Sequence, residues 1–205
     1  MALQLGQTLQ PDFDRPLDLM MDCHRRIEHF LGLLFKVVGA TCGTALDGKH
    51  RQALQTSLDY FAEAAPRHTE DEEQSLFPRM RQSDDPRVRN ALNAIESLET
   101  DHFQAKEAHA RVDALGRCWL QDNRLSAEQL DALRQLLTGL QQTYASHIEV
   151  EDKQIFPLAG QVLNDAHLEA VGREMQHRRI INPGRPGSQC RERRVRTSPR
   201  SGVDE

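Results

Sequence analysis

Two histidine–glutamate pairs occur in the sequence at the spacing of one helical turn. Glu72 follows His68 by four residues, and Glu151 follows His147 by four residues. Four residues turn an α-helix through about 400°, so each imidazole and its carboxylate lie on one face, about one turn apart. A divalent metal ion accepts neutral imidazole nitrogen and ionised carboxylate oxygen together. Two such pairs are what a two-metal site inside a helical bundle requires.

A further histidine precedes each pair at nearly the same distance. His24 lies 44 residues before His68, and His102 lies 45 residues before His147. All four lie in apolar stripes with helical spacing, so four antiparallel helices would bring them together inside a bundle. A single histidine on an apolar face is more often a satisfied core residue, but four at matching spacing favour a shared site.

The two glutamates share the apolar faces of the histidines. Carboxylates are almost never fully buried without a partner, and burying two side by side costs several kcal/mol unless cations hold them. A metal ion removes this cost; the alternative is a polar hydrogen-bond network without metal. A Phe-Pro dipeptide follows each pair, at 77–78 and 156–157. We expect it to mark a bend or a helix end beyond the site.

Four long helices and a short fifth one position these residues. Connections at 43–47, 82–85 and 119–125 separate the long helices, and the second is predicted to run over 47–81. Asp85 before Pro86 marks the start of the third helix, and the capping box that opens at Ser126 marks the fourth. The short helix follows Asn164. Because short links force antiparallel neighbours, the prediction is an all-α, up-down-up-down four-helix bundle.

The predicted domain limits follow from this organisation. Residues 15–162 form the bundle, 163–180 the short C-terminal helix, 1–14 an N-terminal extension and 181–205 an Arg-rich disordered tail. The 205 residues contain no apolar run near 18 residues, so no membrane span is expected. The four cysteines form no C-x-x-C pair, which favours a reducing compartment and predicts a cytoplasmic protein.

Charge is distributed unevenly along the chain. Residues 178–205 carry eight arginines and three acidic residues, while the whole chain has a net charge of −5. The net charge of residues 1–177 is therefore −10, which makes nucleic-acid binding by the body improbable. The tail is predicted to be a solvated end, with contact to a polyanion as its weak alternative.

The set of four histidines and two glutamates resembles the hemerythrin family, in particular its bacterial branch with a His-His-Glu cation-binding domain. The resemblance covers roughly residues 15–160. It implies a bridged, non-haem centre of two iron ions with an open position for dioxygen, nitric oxide or a related small molecule. The glutamates would bridge the irons and the histidines would cap them. Iron rests on this resemblance, since the spacing suits manganese or zinc equally well.

The sequence departs from the oxygen carriers of that family at two places. Lys106 stands where they have a second histidine, four residues after the histidine of the third helix. They end the motif of the fourth helix with an aspartate at i+5, which here is Asp152, whereas Glu151 at i+4 matches Glu72. We therefore favour Glu151 as the bridge, with Asp152 as the alternative. The missing histidine leaves positions for water or for Glu28, whose alternative role is a salt bridge at the rim.

Two more side chains lie near the predicted site. Tyr144, one turn before His147, would donate a hydrogen bond to a metal-bound species or would simply pack. His109 lies two turns from His102, about 10 Å along the helix axis, and is expected in the core or at the rim. Cys23 is adjacent to His24 in sequence and is expected to be inert.

Three functions are compatible with the sequence. The favoured one is a di-iron protein that binds or senses dioxygen, nitric oxide, or the iron or redox state of the cell. The second is an enzyme that acts on peroxide, nitric oxide or ferrous iron; no second substrate pocket is evident in the sequence, which favours binding over catalysis. The third is a metal-stabilised scaffold whose arginine-rich tail docks a protein partner.

Overall fold

Helices make up the regular structure of the part of the chain that the computed structural model describes, residues 12–181, and this part contains no strand. Most of the predicted N-terminal extension and all but the first residue of the predicted tail lie outside these residues. The helices are α1 (Pro16–Thr41), α2 (Gly48–Glu63), α3 (Ala65–Asp71), α4 (Phe77–Arg81), α5 (Pro86–Asp122), α6 (Ala127–Val150), α7 (Phe156–Val162) and α8 (Asp165–Ile181). Two π-helical turns, π1 (Glu72–Leu76) and π2 (Glu151–Ile155), join α3 to α4 and α6 to α7. None of the described helices combines the length and apolar character of a membrane span.

The predicted starts of the third and fourth long helices, α5 and α6, are confirmed by their caps, whereas the predicted connection at 119–125 is shorter because α5 continues to Asp122. Asp85 accepts a hydrogen bond from the backbone N–H of Arg87 at the start of α5. Ser126 and Gln129 form both hydrogen bonds of a capping box at the start of α6. Asn123 ends α5 in the left-handed conformation, with φ of 57°, which asparagine adopts more readily than most residues. The chain therefore turns back where the sequence indicated.

Four long helical segments pack side by side as an antiparallel bundle. The helix α5 packs on α2 and α6, and α1 packs on the same two helices, so each long helix has two neighbours. The core consists of two apolar clusters, one around Leu34, Trp119 and Leu137 and the other around Phe77 and Phe156. In α1, His24 lies between Met20 of one cluster and Ile27 of the other, so polar side chains occupy the level between the two clusters.

The segment predicted as the second helix, 47–81, is helical but divided into α2, α3, π1 and α4. The chain passes from α2 to α3 at Ala64, whose N–H still bonds to the carbonyl of Tyr60, and then from α3 into π1. Pro66 lies in the first turn of α3. A proline is tolerated there because the first-turn N–H groups have no partner within their own helix.

The π turns explain the repeated Phe-Pro dipeptides. In an uninterrupted α-helix Pro78 would have to donate to the carbonyl of Gln74, which it cannot do because it lacks an N–H. In the π turn the residue before the proline, Phe77, donates its N–H to the carbonyl of Glu72, five residues earlier. The N–H of Phe156 bonds to the carbonyl of Glu151 in the same way. Each proline then falls in the first turn of the next helix. The dipeptide therefore marks a change of helix type at the glutamate rather than a helix end.

Candidate metal centre

The structure brings the six predicted ligands together between the two apolar clusters. They form two groups of four residues, and within each group one donor atom per residue lies within 4.8 Å of the others. The first group is His24, His68, Glu72 and Glu151, and the second is Glu72, His102, His147 and Glu151. Each group has two histidines of its own, and the two carboxylates belong to both. This is the arrangement of two metal positions that share bridging carboxylates.

Glu151 lies between a histidine of each group. Its Oε2 atom is 3.0 Å from Nε2 of His24 and 3.1 Å from Nε2 of His147. Because these two histidines belong to different groups, the carboxylate faces both candidate metal positions. The side chain of Glu151 is fully buried.

Glu72 holds the equivalent place in the other half. Its Oε1 atom is 3.2 Å from Nε2 of His68, and its Oε2 atom is 3.3 Å from Nε2 of His102. The two oxygens are directed to different groups. A single carboxylate with one oxygen for each metal position is suited to bridge two ions.

The carboxylate oxygens of the site are buried without hydrogen bonds. Both oxygens of Glu72, both of Glu151 and Nε2 of His24 are inaccessible to solvent and have no hydrogen-bond partner among the described residues. The short distances to the histidines thus lack the geometry of hydrogen bonds. Leaving buried carboxylates unpaired costs several kcal/mol, and divalent cations remove that cost. The residues present therefore fit a metal centre better than a polar network.

Burial and neighbouring ionisable groups shift the pKa values of the side chains at the site. Burial, reinforced by the charge of Glu151, raises the pKa of Glu72 well above its usual range. Burial opposes the charged forms of His24 and His147, but the carboxylate of Glu151 outweighs it and raises the pKa of both. Burial lowers the pKa of His68 well below its usual range, so this imidazole is neutral. Metal binding requires neutral imidazole and ionised carboxylate, and would therefore release protons here.

Carboxylates outside the donor groups orient three of the four histidines. Asp152 lies 2.8 Å from Nδ1 of His24, and Asp101 lies 3.4 Å from Nδ1 of His147. Glu73 lies 2.9 Å from Nδ1 of His102. Such contacts fix the ring so that Nε2 faces the centre. His68 Nδ1 has no such partner within residues 12–181.

Asp152, the alternative bridge, therefore has a different place from Glu151. It contacts the outer nitrogen of His24 and is 31% exposed, whereas Glu151 is buried among the donor atoms. Glu28 is exposed on α1 and belongs to neither donor group, so the structure lends no support to it as a ligand. The orienting residues Glu73 and Asp101 were not anticipated. The signal for Glu73 was in the repeat, because it follows Glu72 as Asp152 follows Glu151.

Tyr144 and His109 form a hydrogen-bonded pair beside the centre. The distance between Tyr144 Oη and His109 Nε2 is 2.9 Å, and the ring of Tyr144 stands edge-on to His147 with centroids 6.5 Å apart. Phe61 stacks on His109 with centroids 4.2 Å apart. Burial lowers the pKa of His109 to about 4, so this imidazole is neutral at physiological pH. His109 was expected in the core or at the rim, and the structure adds a partner that connects it to the site.

A cavity of about 780 Å³ reaches the centre from the surface. All four site histidines line it, together with His109 and Tyr144. Its walls come from α1, α2, α3, π1, α5 and α6. No substrate pocket was evident from the sequence, because the residues that line the cavity are separated along the chain and several of them also serve as ordinary core positions.

Asp71, directly before Glu72, is held by two arginines of α8. Its carboxylate accepts hydrogen bonds from Arg178 and Arg179, each at 2.7 Å, and its side chain is fully buried. Ser75 of π1 contacts Arg178 and Glu174 of the same helix. From the sequence, both arginines were expected in a solvated basic end, but they attach α8 to the segment that carries Glu72.

The fold and the site together define a metal-binding four-helix bundle with paired His-Glu motifs. A family model described as the Hemerythrin HHE cation binding domain matches residues 15–159, and the chain belongs to the hemerythrin family. It is also 26% identical to an uncharacterized protein of Haemophilus influenzae (strain ATCC 51907 / DSM 11121 / KW20 / Rd). That similarity extends over 186 residues, which are 85% of this chain and 98% of the relative. The predicted family is therefore confirmed.

Proposed function

We propose that the protein holds two bridged, non-haem iron ions and binds or senses dioxygen, nitric oxide, or the iron or redox state of the cell. The observation that carries this proposal is the pair of buried carboxylates shared by two groups of histidines. Four oxygens without hydrogen-bond partners need positive charge between them. Family membership favours iron, since the donor atoms alone also suit manganese or zinc.

The residues of the chain define what the centre can do. His24 and His68 would hold one ion, His102 and His147 the other, and Glu72 with Glu151 both. Bound iron would supply a change of redox state and an open coordination position for a diatomic ligand. The apolar clusters on either side limit solvent access to that position. The cavity provides a route for a small molecule to reach it.

A cytoplasmic location belongs to the same proposal. The three described cysteines, Cys23, Cys42 and Cys118, are free thiols. Unpaired cysteines are typical of a reducing compartment, and ferrous iron is readily kept there.

The metal content per chain tests the proposal. The full chain is loaded with ferrous iron without oxygen, desalted and analysed for metals. Two irons per chain are expected for the wild type, and a reduced content for His68→Ala. The matched control is His167→Ala, because His167 is exposed on α8 and its loss leaves the content unchanged. Iron-free wild type, or equal contents in all three proteins, would contradict the proposal.

One observation favours the enzyme as a second candidate. The cavity brings a hydrogen-bonded His109–Tyr144 pair to the same space as the four histidines, which a simple metal store does not need. An iron-loaded protein that turns over peroxide, nitric oxide or ferrous iron many times in a steady-state assay supports catalysis. A reaction that stops after one equivalent per centre supports binding or sensing.

A further inference from the structure

The cavity is much larger than a diatomic ligand requires. A molecule of the size of water occupies about 30 Å³ in the liquid, and the cavity exceeds this more than twentyfold. Sites for organic molecules have volumes of about 300–1,000 Å³, a range that includes the 780 Å³ found here. The size of the cavity therefore indicates an organic ligand.

The walls of the cavity are mainly apolar. The side chains that line its sides include Leu58, Phe61, Ala105, Val112 and Ile148, all of which are buried. Phe103 extends this surface to the rim and is 63% exposed there, although large apolar side chains usually avoid solvent. An apolar body of the ligand would bury this surface and gain free energy in proportion to the area removed from water.

The inner end of the cavity offers one open hydrogen-bonding function outside the metal donors. His109 Nε2 and Tyr144 Oη bond to each other, and Nδ1 of His109 is buried with no partner among the described residues. Nδ1 is inaccessible from the cavity, so the open function belongs to the tyrosine hydroxyl. If the tyrosine donates to the imidazole, its oxygen can still accept a hydrogen bond; if the imidazole donates, the hydroxyl proton is free to be donated. In either tautomer one polar group of a ligand can be satisfied.

The charges around the cavity disfavour anions. Four carboxylates lie among the lining residues, on Glu70, Glu73, Glu99 and Asp113, whereas Lys106 is the single lysine or arginine. Glu99 pairs with Arg81, and Asp113 with Arg117, so the carboxylates are partly compensated from outside the lining. A ligand carboxylate would still enter an apolar space that offers no matching arginine, and burial of an unpaired charge is costly.

We propose that this cavity binds an uncharged organic molecule with an apolar body and one hydrogen-bonding group, which the His109–Tyr144 pair recognises. A phenol of about ten heavy atoms has this chemistry. The proposal goes beyond the proposed function because it needs no bound metal. Metal content and organic binding are measured separately, so one can fail while the other holds.

Isothermal titration of the full chain with 4-ethylphenol tests the proposal, on iron-loaded and on chelator-treated protein. Saturable binding at one site per chain is expected in both. Ethylbenzene is expected to bind about tenfold more weakly in both preparations, the effect of one hydrogen bond. In the chelator-treated protein, where no iron can take a carboxylate, 4-ethylbenzoate is expected to bind more weakly still. No binding in either preparation, or equal binding of all three compounds, would overturn the proposal.

Variants locate the ligand within the cavity. Ala105→Leu places a larger side chain in the cavity and is expected to weaken binding at least tenfold, whereas Ala114→Leu, exposed on the same helix, leaves it unchanged. Tyr144→Phe keeps the ring and is expected to remove the preference for 4-ethylphenol over ethylbenzene, and His109→Phe, which takes away the partner that orients the hydroxyl, is expected to reduce it. If circular dichroism shows that Ala105→Leu is unfolded, the two ring variants decide. A preference that survives in both contradicts recognition by this pair.

Discussion

Glu73 in π1 lies 2.9 Å from Nδ1 of His102 in α5. The helix α5 follows α4 in sequence and packs against both α4 and α2. The same relationship recurs in the other half, where Asp152 lies 2.8 Å from Nδ1 of His24. Each His-Glu motif thus supplies two candidate metal ligands and, in the next residue, a carboxylate that orients a histidine of another helix. The two halves of the bundle are therefore connected through hydrogen bonds as well as through the shared glutamates.

Replacing Glu73 tests this orienting role. Glu73→Ala removes the acceptor that fixes His102, and changes of this kind lower metal affinity about 10–100-fold. We expect a loss in that range, with retention of the fold, when metal binding is measured by competition with a chelator. Glu70→Ala is the matched control, because Glu70 also lines the cavity but belongs to neither donor group. An equal loss in both variants would point to the general acidity of the rim rather than to His102.

Glu72 is expected to serve metal binding at the expense of the stability of the metal-free protein. Glu72→Gln removes a buried carboxyl group without hydrogen-bond partners, whose raised pKa means that the metal-free protein must take up a proton or bury a charge when it folds at neutral pH. We expect the metal-free variant to be more stable than the metal-free wild type by about 1–3 kcal/mol in urea unfolding. The variant should also lose both metal ions, since the carboxylate belongs to both donor groups. A variant that is less stable without metal, or that keeps one ion fully bound, would contradict the shared role.

The bundle and the pairing of the candidate ligands were predictable because both depend on short-range spacing. A helix places residues i and i+4 on one face whatever surrounds it, so His68 with Glu72 and His147 with Glu151 could be paired from the sequence. Capping residues such as Asp85 and Ser126 act locally and marked the helix starts correctly.

Features that depend on contacts between distant segments were not predictable. The attachment of Arg178 to Asp71 joins residues 107 positions apart, and composition alone classed that arginine with a solvated end. His109 was predicted to lie in the core or at the rim from its distance to His102 along the helix axis. That distance cannot indicate the hydrogen bond to Tyr144 on the neighbouring helix. The π turns depend on how a proline and a buried glutamate are accommodated together, for which the 3.6-residue period gives no rule.

The imidazole of His109 makes stability depend on pH. Burial lowers its pKa to about 4 from the ordinary value of 6.5. Between these values the unfolded chain binds a proton that the folded chain does not, so the stability contributed by the neutral ring falls as the pH decreases through this window. We expect the free energy of unfolding of the metal-free protein to drop by about 2 kcal/mol more between pH 7 and pH 5 than that of His109→Phe. Parallel curves for the two proteins would show that His109 titrates normally.

Gly116 is expected to be needed for the packing of α5 against α2. A β-carbon at this position would lie 2.6 Å from Cδ1 and 2.8 Å from Cδ2 of Leu58, so the buried side chain of Leu58 would have to shift. Alanine ordinarily stabilises a helix interior by about 0.5–1 kcal/mol relative to glycine, but overpacking costs about 1–3 kcal/mol, so the net effect of Gly116→Ala should be destabilising. Gly139→Ala is the control, since a β-carbon there meets nothing within 4 Å, and it should stabilise α6. Thermal unfolding of the two variants measures both effects. A higher melting temperature for Gly116→Ala would mean that Leu58 shifts into the adjoining cavity at little cost, and that variant should then bind 4-ethylphenol more weakly.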